Sequence, residues 1–336
     1  MFFRVFLVFM VVCSSVLAAD NEVNIYSARK EKLIKPLLDK FSKQSGIKVN
    51  LVTGKADALL KRLEFEGENS PADILITVDA GRLFRAKQAK VLQPVASEIL
   101  TQNIPDHLRD PEGYWFGLTV RARPIMYVKG KVDKSFLLDY QDLIKERWKK
   151  RICVRSSNNI YNQSMVAAMI VNSGIEATQK WTNGLVENFA RRPQGGDRDQ
   201  ILAASAGLCD IAIANTYYLG KMLHSKNDSE KIAAQKMAII WPNQNNTGAH
   251  INISGIAVTA AAKNKTQAIK LLEFMVTDRA QQWYADTNFE YPVKSQVTLN
   301  STLTQWGKFK SDTLNLSELG ENNAEAIRVM DRAGWK

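Results

Sequence analysis

Beyond residue 22 the chain alternates between short apolar runs and stretches whose apolar residues recur with helical period. Val23-Asn24-Ile25-Tyr26 predicts a strand, because residues two apart share one face of an extended chain. Residues 36–45 predict a helix: Pro36 falls in its first turn, where a missing N–H costs nothing, and Gly46 closes it. Residues 47–52 read as the next strand, 57–66 as the next helix and 72–76 as a third strand. This rhythm builds βαβ units and a parallel sheet.

Residues 118–128 then form a long extended stretch, and a fresh series starts at Arg151: strand, helix from Asn159, helix near Thr178, strand at 210–214, helix from Thr216. A second extended stretch, 250–260, precedes a helix at 266–277. Both extended stretches fall where the chain leaves one α/β series for the other or returns, which predicts paired hinge strands between two lobes. Length agrees, since about 318 residues after a leader exceed one ordinary core. The expected division is 19–120 plus 252–298 for the first lobe and 121–251 plus 299–336 for the second.

The leader is residues 1–18: Arg4 gives a positive start, residues 5–12 an apolar run, and Val16-Leu17-Ala18 a small-residue cleavage site. Val11 and Val12 are poor neighbours for a lipid-modified Cys13. No later stretch reaches the ~20 apolar residues of a transmembrane helix. Cys153 and Cys209 each lie in an apolar, strand-like run, so two buried thiols and one disulfide are both open. His107, His224 and His250 are scattered without metal-ligand spacing. Lys and Arg outnumber Asp and Glu by 45 to 34. The charges are interspersed, with no arginine-rich arm, which argues against a nucleic-acid partner.

In open α/β sheets ligands collect where strands end and helices begin. Asn215-Thr216-Tyr217-Tyr218 ends one strand and opens a helix; Arg155-Ser156-Ser157-Asn158-Asn159 ends another, with Tyr161 in the first turn that follows. Adjacent tyrosines point apart on regular elements, so only an irregular junction lets Tyr217 and Tyr218 converge. A helix dipole favours phenolate by at most ~1 kcal/mol, too little to ionise a group of pKa ~10. A highly charged cation on the oxygens does so. Arg121 and Arg123 lie two apart on an extended stretch, facing one crevice, where an anion is the functional reading and ordinary salt bridging the alternative. No nucleophile elbow, paired-carboxylate motif or phosphate loop points to an enzyme.

Five segments, 24–31, 53–57, 117–123, 156–164 and 214–218, together resemble the periplasmic ferric-ion-binding proteins of bacterial iron ABC importers, in order along nearly the whole mature chain. The resemblance implies a bilobed type II periplasmic-binding fold, two hinge-crossing strands, and closure on Fe³⁺. It matches Tyr161, Tyr217 and Tyr218 to the family's metal-ligating tyrosines, and Arg123, with Arg121 and Arg29, to the region holding a synergistic anion such as carbonate. It implies a monomer that meets an ABC permease in the inner membrane. Lys30 and Glu31 stand where several relatives carry a His-Tyr ligand pair, which leaves Glu31 as the first lobe's candidate oxygen donor. A receptor for an organic or phosphate-like anion, with the arginines primary, is the alternative.

Overall fold

A computed structural model describes residues 21–336; the leader read at 1–18, with Cys13, lies outside the described residues. The strands are β1 (Glu22–Ser27), β2 (Lys48–Thr53), β3 (Ile74–Val78), β4 (Leu92–Gln93), β5 (Phe116–Ala122), β6 (Ile125–Val128), β7 (Ile152–Cys153), β8 (Ile211–Ile213), β9 (Met237–Ile240), β10 (Ile251–Thr259) and β11 (Tyr291–Pro292). They form two sheets, one per lobe. The larger has seven strands in the order β11-β5-β10-β3-β1-β2 with β4 also on β10; the smaller runs β7-β8-β6-β9.

The opening elements follow the pattern read from the chain. β1 pairs in parallel with β2 and β3. Between β1 and β2 runs the helix Lys35–Ser45, with Pro36 at its start and Gly46 ending it at φ 72°, a conformation glycine adopts freely. The sheet is mixed rather than parallel, because β10 is antiparallel to β3 and β5. Both β5 and β10 are buried along their whole length, being covered on both faces. A register shift in their pairing falls at Ser254/Gly255, and a Cβ on Gly255 would sit 2.4 Å from Leu83 Cδ1 and 3.0 Å from the Phe116 carbonyl, so any larger residue at that bulge has to displace Leu83.

The extended stretch 118–128 is two strands, not one. β5 belongs to the larger sheet and β6 to the smaller. Pro124 lies between them and has no N–H to continue a ladder, so the chain changes sheets there. The return passes from β9 in the smaller sheet to β10 in the larger. Near the C-terminus, the short helix Ser317–Glu321 packs on Ala80–Gln88 of the first lobe and Ile160–Ser173 of the second. A Cβ on Gly320 would lie 2.3 Å from Phe84 Cβ, so this approach requires glycine.

Cys153 and Cys209 form a disulfide, which decides the alternative the sequence left open. It lies in the smaller sheet's core, where β7 and β8 pair in parallel. No helix among the described residues is long and apolar enough to cross a membrane.

Candidate metal centre

Two strand ends carry the site. β7 ends at Cys153, and after the turn at 154–158 Asn159 caps the helix Ile160–Ser173, its side chain accepting from the Tyr161 N–H at 3.0 Å. The Asn162 amide donates to the carbonyls of Arg155 and Ser156 at 2.8 and 3.1 Å, and the Trp335 indole donates to Arg155 at 3.0 Å. The turn therefore has partners on both sides. Its neighbour β8 ends at Ile213, and Asn215 begins the helix Thr216–Leu223, which holds Tyr217 and Tyr218 in its first turn. Because β7 and β8 are parallel, both helices start at the same end of the sheet.

Arg123 ties the two junctions together. One terminal nitrogen donates to Asp197 and Asn215 at 3.0 and 3.1 Å; the other donates to the Asn162 side chain at 2.6 Å and the Ile213 carbonyl at 3.3 Å. Asp197 also accepts the Asn215 N–H at 2.9 Å. Both residues of the Arg123–Asp197 pair are essentially inaccessible. Only Nε of Arg123 lacks a partner among the described residues, so most of its hydrogen-bonding capacity goes to positioning the two tyrosine-bearing turns.

The phenols meet as a result. The Tyr217 hydroxyl lies 3.5 Å from that of Tyr161, and the rings of Tyr217 and Tyr218 have centroids 4.3 Å apart at 32°. Tyr217 is buried, and the other two are half-buried. Burial, then the charge of Tyr161 and Tyr218, pushes the Tyr217 phenol well above its ordinary range; Arg121 opposes this. Burial first, then Tyr161 and Asp197, pushes Tyr218 up to about 12. Without a bound cation these two phenols are neutral at physiological pH.

Cations surround them. Arg121 and Lys221 lie over the Tyr217 ring at 5.2 and 5.3 Å from its centroid, and Arg155 lies 5.7 Å from that of Tyr161. From the first lobe, Arg82 interacts electrostatically with Tyr161 while bonding Asp57 at 3.0 Å. Glu290 is the buried counter-charge: it accepts from Arg29 at 3.0 Å, Arg121 at 3.4 Å and Thr119 at 2.7 Å. Burial works against its ionisation, but Arg29, Arg121 and Lys221 outweigh it and hold the carboxyl at about 2. Burial lowers Lys221 to about 8. Arg121 keeps Nε and Nη1 without partners among the described residues, although its side chain is only 4% exposed.

Thus Tyr161, Tyr217 and Tyr218 come together, with Arg121 against them. Arg29 bonds Glu290 and Ser254, while Arg123 holds the two turns. Lys30 and Glu31 are exposed, and Glu31 makes no side-chain hydrogen bond to the tyrosine group. No cluster of three His, Cys, Asp or Glu side chains among the described residues is placed to hold a metal. Sequence reasoning missed Lys221, Asp197 and Glu290. Lys221 follows Tyr217 by one helical turn and was within reach of that spacing. Glu290 sits beyond the helix Asp278–Asn288 with no local signal.

A two-lobed α/β chain with a polar group at neighbouring strand ends defines the class of cleft-type binding proteins. The sequence signature of bacterial extracellular solute-binding proteins matches residues 69–311. The chain belongs to that family. It is 49% identical to iron uptake protein A1 of Synechocystis over 94% of this chain and 88% of the relative. Among solved structures it is similar to the Trichodesmium protein IdiA, or FutA, in complex with iron and citrate ligands: 48% identity, TM-score 0.91, 94% of this chain and 100% of the other. The ferric binding protein of Campylobacter jejuni matches at 42% identity and TM-score 0.88, over 94% and 100%. The resemblance read from the five segments is borne out.

Proposed function

We propose that the chain is the periplasmic carrier of a bacterial iron importer, capturing Fe³⁺ on the phenolates of Tyr161, Tyr217 and Tyr218 and delivering it to an ABC permease in the inner membrane. The observation that carries this reading is the convergence of phenols, with the Tyr161 and Tyr217 hydroxyls 3.5 Å apart. Fe³⁺ is small and hard and matches phenolate oxygen better than imidazole or thiolate. Bound directly, it supplies the free energy to ionise phenols that burial holds neutral. Three phenolates balance its charge. The iron-named relatives support the same cargo, and the Trichodesmium protein was solved with iron and citrate ligands.

The surrounding cations favour an anion as an additional ligand, carbonate or the carboxylate of a chelator. Arg121 is the residue best suited to it, having two donors to spare. Arg29 and Arg123 contribute positive charge from positions fixed by Glu290 and Asp197. Glu31 is exposed in the first lobe, so the anion rather than Glu31 completes the donor set. The lobes divide near the expected 19–120 plus 252–298 and 121–251 plus 299–336, with the β5–β6 and β9–β10 crossings as the hinge and the last residues of β5, Arg121 among them, on the first lobe's sheet. The carrier works as a monomer, without catalysis, after removal of residues 1–18.

The test is a visible spectrum of the apoprotein titrated with ferric citrate. The reading expects a phenolate-to-iron charge-transfer band that is lost in Tyr217→Phe; a colourless protein after loading sinks it. The spare donors of Arg121 also favour the second reading, an anion receptor. In that case calorimetry gives tight binding of an organic anion or phosphate without iron.

A further inference from the structure

One residue in the first lobe is held in a conformation its side chain does not favour. Asp79 has φ 80° and ψ 126°, outside the regions open to residues with a Cβ. Such a geometry persists only where its surroundings impose it. Asp79 is fully buried between β3 and the helix Ala80–Gln88.

Its carboxylate is shared among three elements. One oxygen accepts from the Gly81 N–H at 2.9 Å, capping its own helix, and from the Ser164 hydroxyl at 2.7 Å. The other accepts from the Asn252 amide of β10 at 2.8 Å, while the Asn252 carbonyl oxygen accepts from the Ala80 N–H at 2.9 Å. The Asp79 N–H donates to the Ile253 carbonyl at 2.8 Å. Ser164 belongs to the second lobe and lies one turn after Tyr161 in the same helix. It is fully buried, and the ends of the two helices touch around it: a Cβ on Gly81 would stand 3.5 Å from Ile160 Cδ1.

We propose that Asp79 is a positioning residue for iron capture, a latch that joins the first lobe and the crossing strand β10 to the Tyr161 helix through Ser164. The inference rests on the ferric reading of the tyrosine site. A rigid helix transmits the bond at Ser164 to Tyr161. The latch therefore fixes where that phenol stands relative to Tyr217 when the lobes are together.

The test compares wild type, Ser164→Ala and Asp79→Gly. Glycine accepts the backbone conformation at no steric cost, so Asp79→Gly removes the carboxylate while sparing the main chain. Each protein is loaded with ferric citrate, and affinity, the charge-transfer band and the scattering radius of gyration are measured, with apo circular dichroism as a folding control. The latch predicts at least tenfold weaker iron binding in both variants, a displaced band, and a loaded radius of gyration larger than the wild type's. Affinity within twofold of wild type, with unchanged band and radius, overturns it. A colourless wild type sinks the iron reading alone. The apo radii then decide the latch: expansion in Ser164→Ala supports it and identical radii overturn it.

Discussion

The two lobes bring opposite things to the cleft. The smaller sheet supplies phenols: β7 and β8 end side by side, and their following helices carry Tyr161, Tyr217 and Tyr218 into one group. The larger sheet supplies charge: Arg29, Arg121 and Arg82, with Glu290 offsetting the first two. Neither half suffices, because buried phenols are neutral alone and clustered cations repel. The division teaches how a trivalent cation is admitted to a basic protein. On the proposed reading the phenols acquire negative charge only as the metal displaces their protons, and the fixed cations hold an anion beside it.

The largest effect is expected of Arg123→Ala. It leaves Asp197 buried without its main partner, a loss of about 3–5 kcal/mol, and frees both tyrosine turns; thermal unfolding and iron titration should fall together. Next is Tyr217→Phe, which removes the most enclosed phenol. Iron affinity should drop by more than about 100-fold, beyond the 10–100-fold usual for an outer-shell partner, with unfolding little changed.

Acidification sharpens the same point. Tyr217 and Tyr218 titrate far above neutrality in the apoprotein, so both are protonated throughout pH 5–8 and each must release a proton to bind. Affinity should fall as pH falls, by about tenfold per proton and about 100-fold per pH unit for the pair. In Tyr217→Phe the slope should be one proton smaller, measured by competition titration. Arg121→Gln tests the other lobe: about a tenfold loss of iron affinity is expected, together with weaker dependence on added carbonate or citrate. Smallest is Glu31→Ala, expected to change affinity by less than about twofold in the lobe arrangement seen here, where Glu31 is exposed.

This contrast also decides what was readable in the chain. The phenols sit at strand-to-helix junctions, whose signals are local: an apolar run, a polar turn, an Asn at the cap. Tyr161, Tyr217 and Tyr218 were accordingly found from their own neighbourhoods, as were β1, β2 and the helices that follow them. The charge cluster is assembled across the chain. Glu290 reaches Arg29 over 261 residues, and no segment around 290 advertises that partner. The spacing of Arg121 and Arg123 gave them a shared crevice. The sheet change at Pro124 instead accompanies separate partners, Glu290 for one and Asp197 for the other. The disulfide was open because two cysteines in strand-like runs look alike whether bridged or free.

On the proposed reading one ion is held by three phenol oxygens from two neighbouring junctions. Crystals grown with ferric citrate test it most directly, through the anomalous signal at the iron edge. The account predicts a single iron bonded to the oxygens of Tyr161, Tyr217 and Tyr218, with an anion against Arg121. Iron bound elsewhere, or held by its chelator with the three phenols uncoordinated, would contradict it.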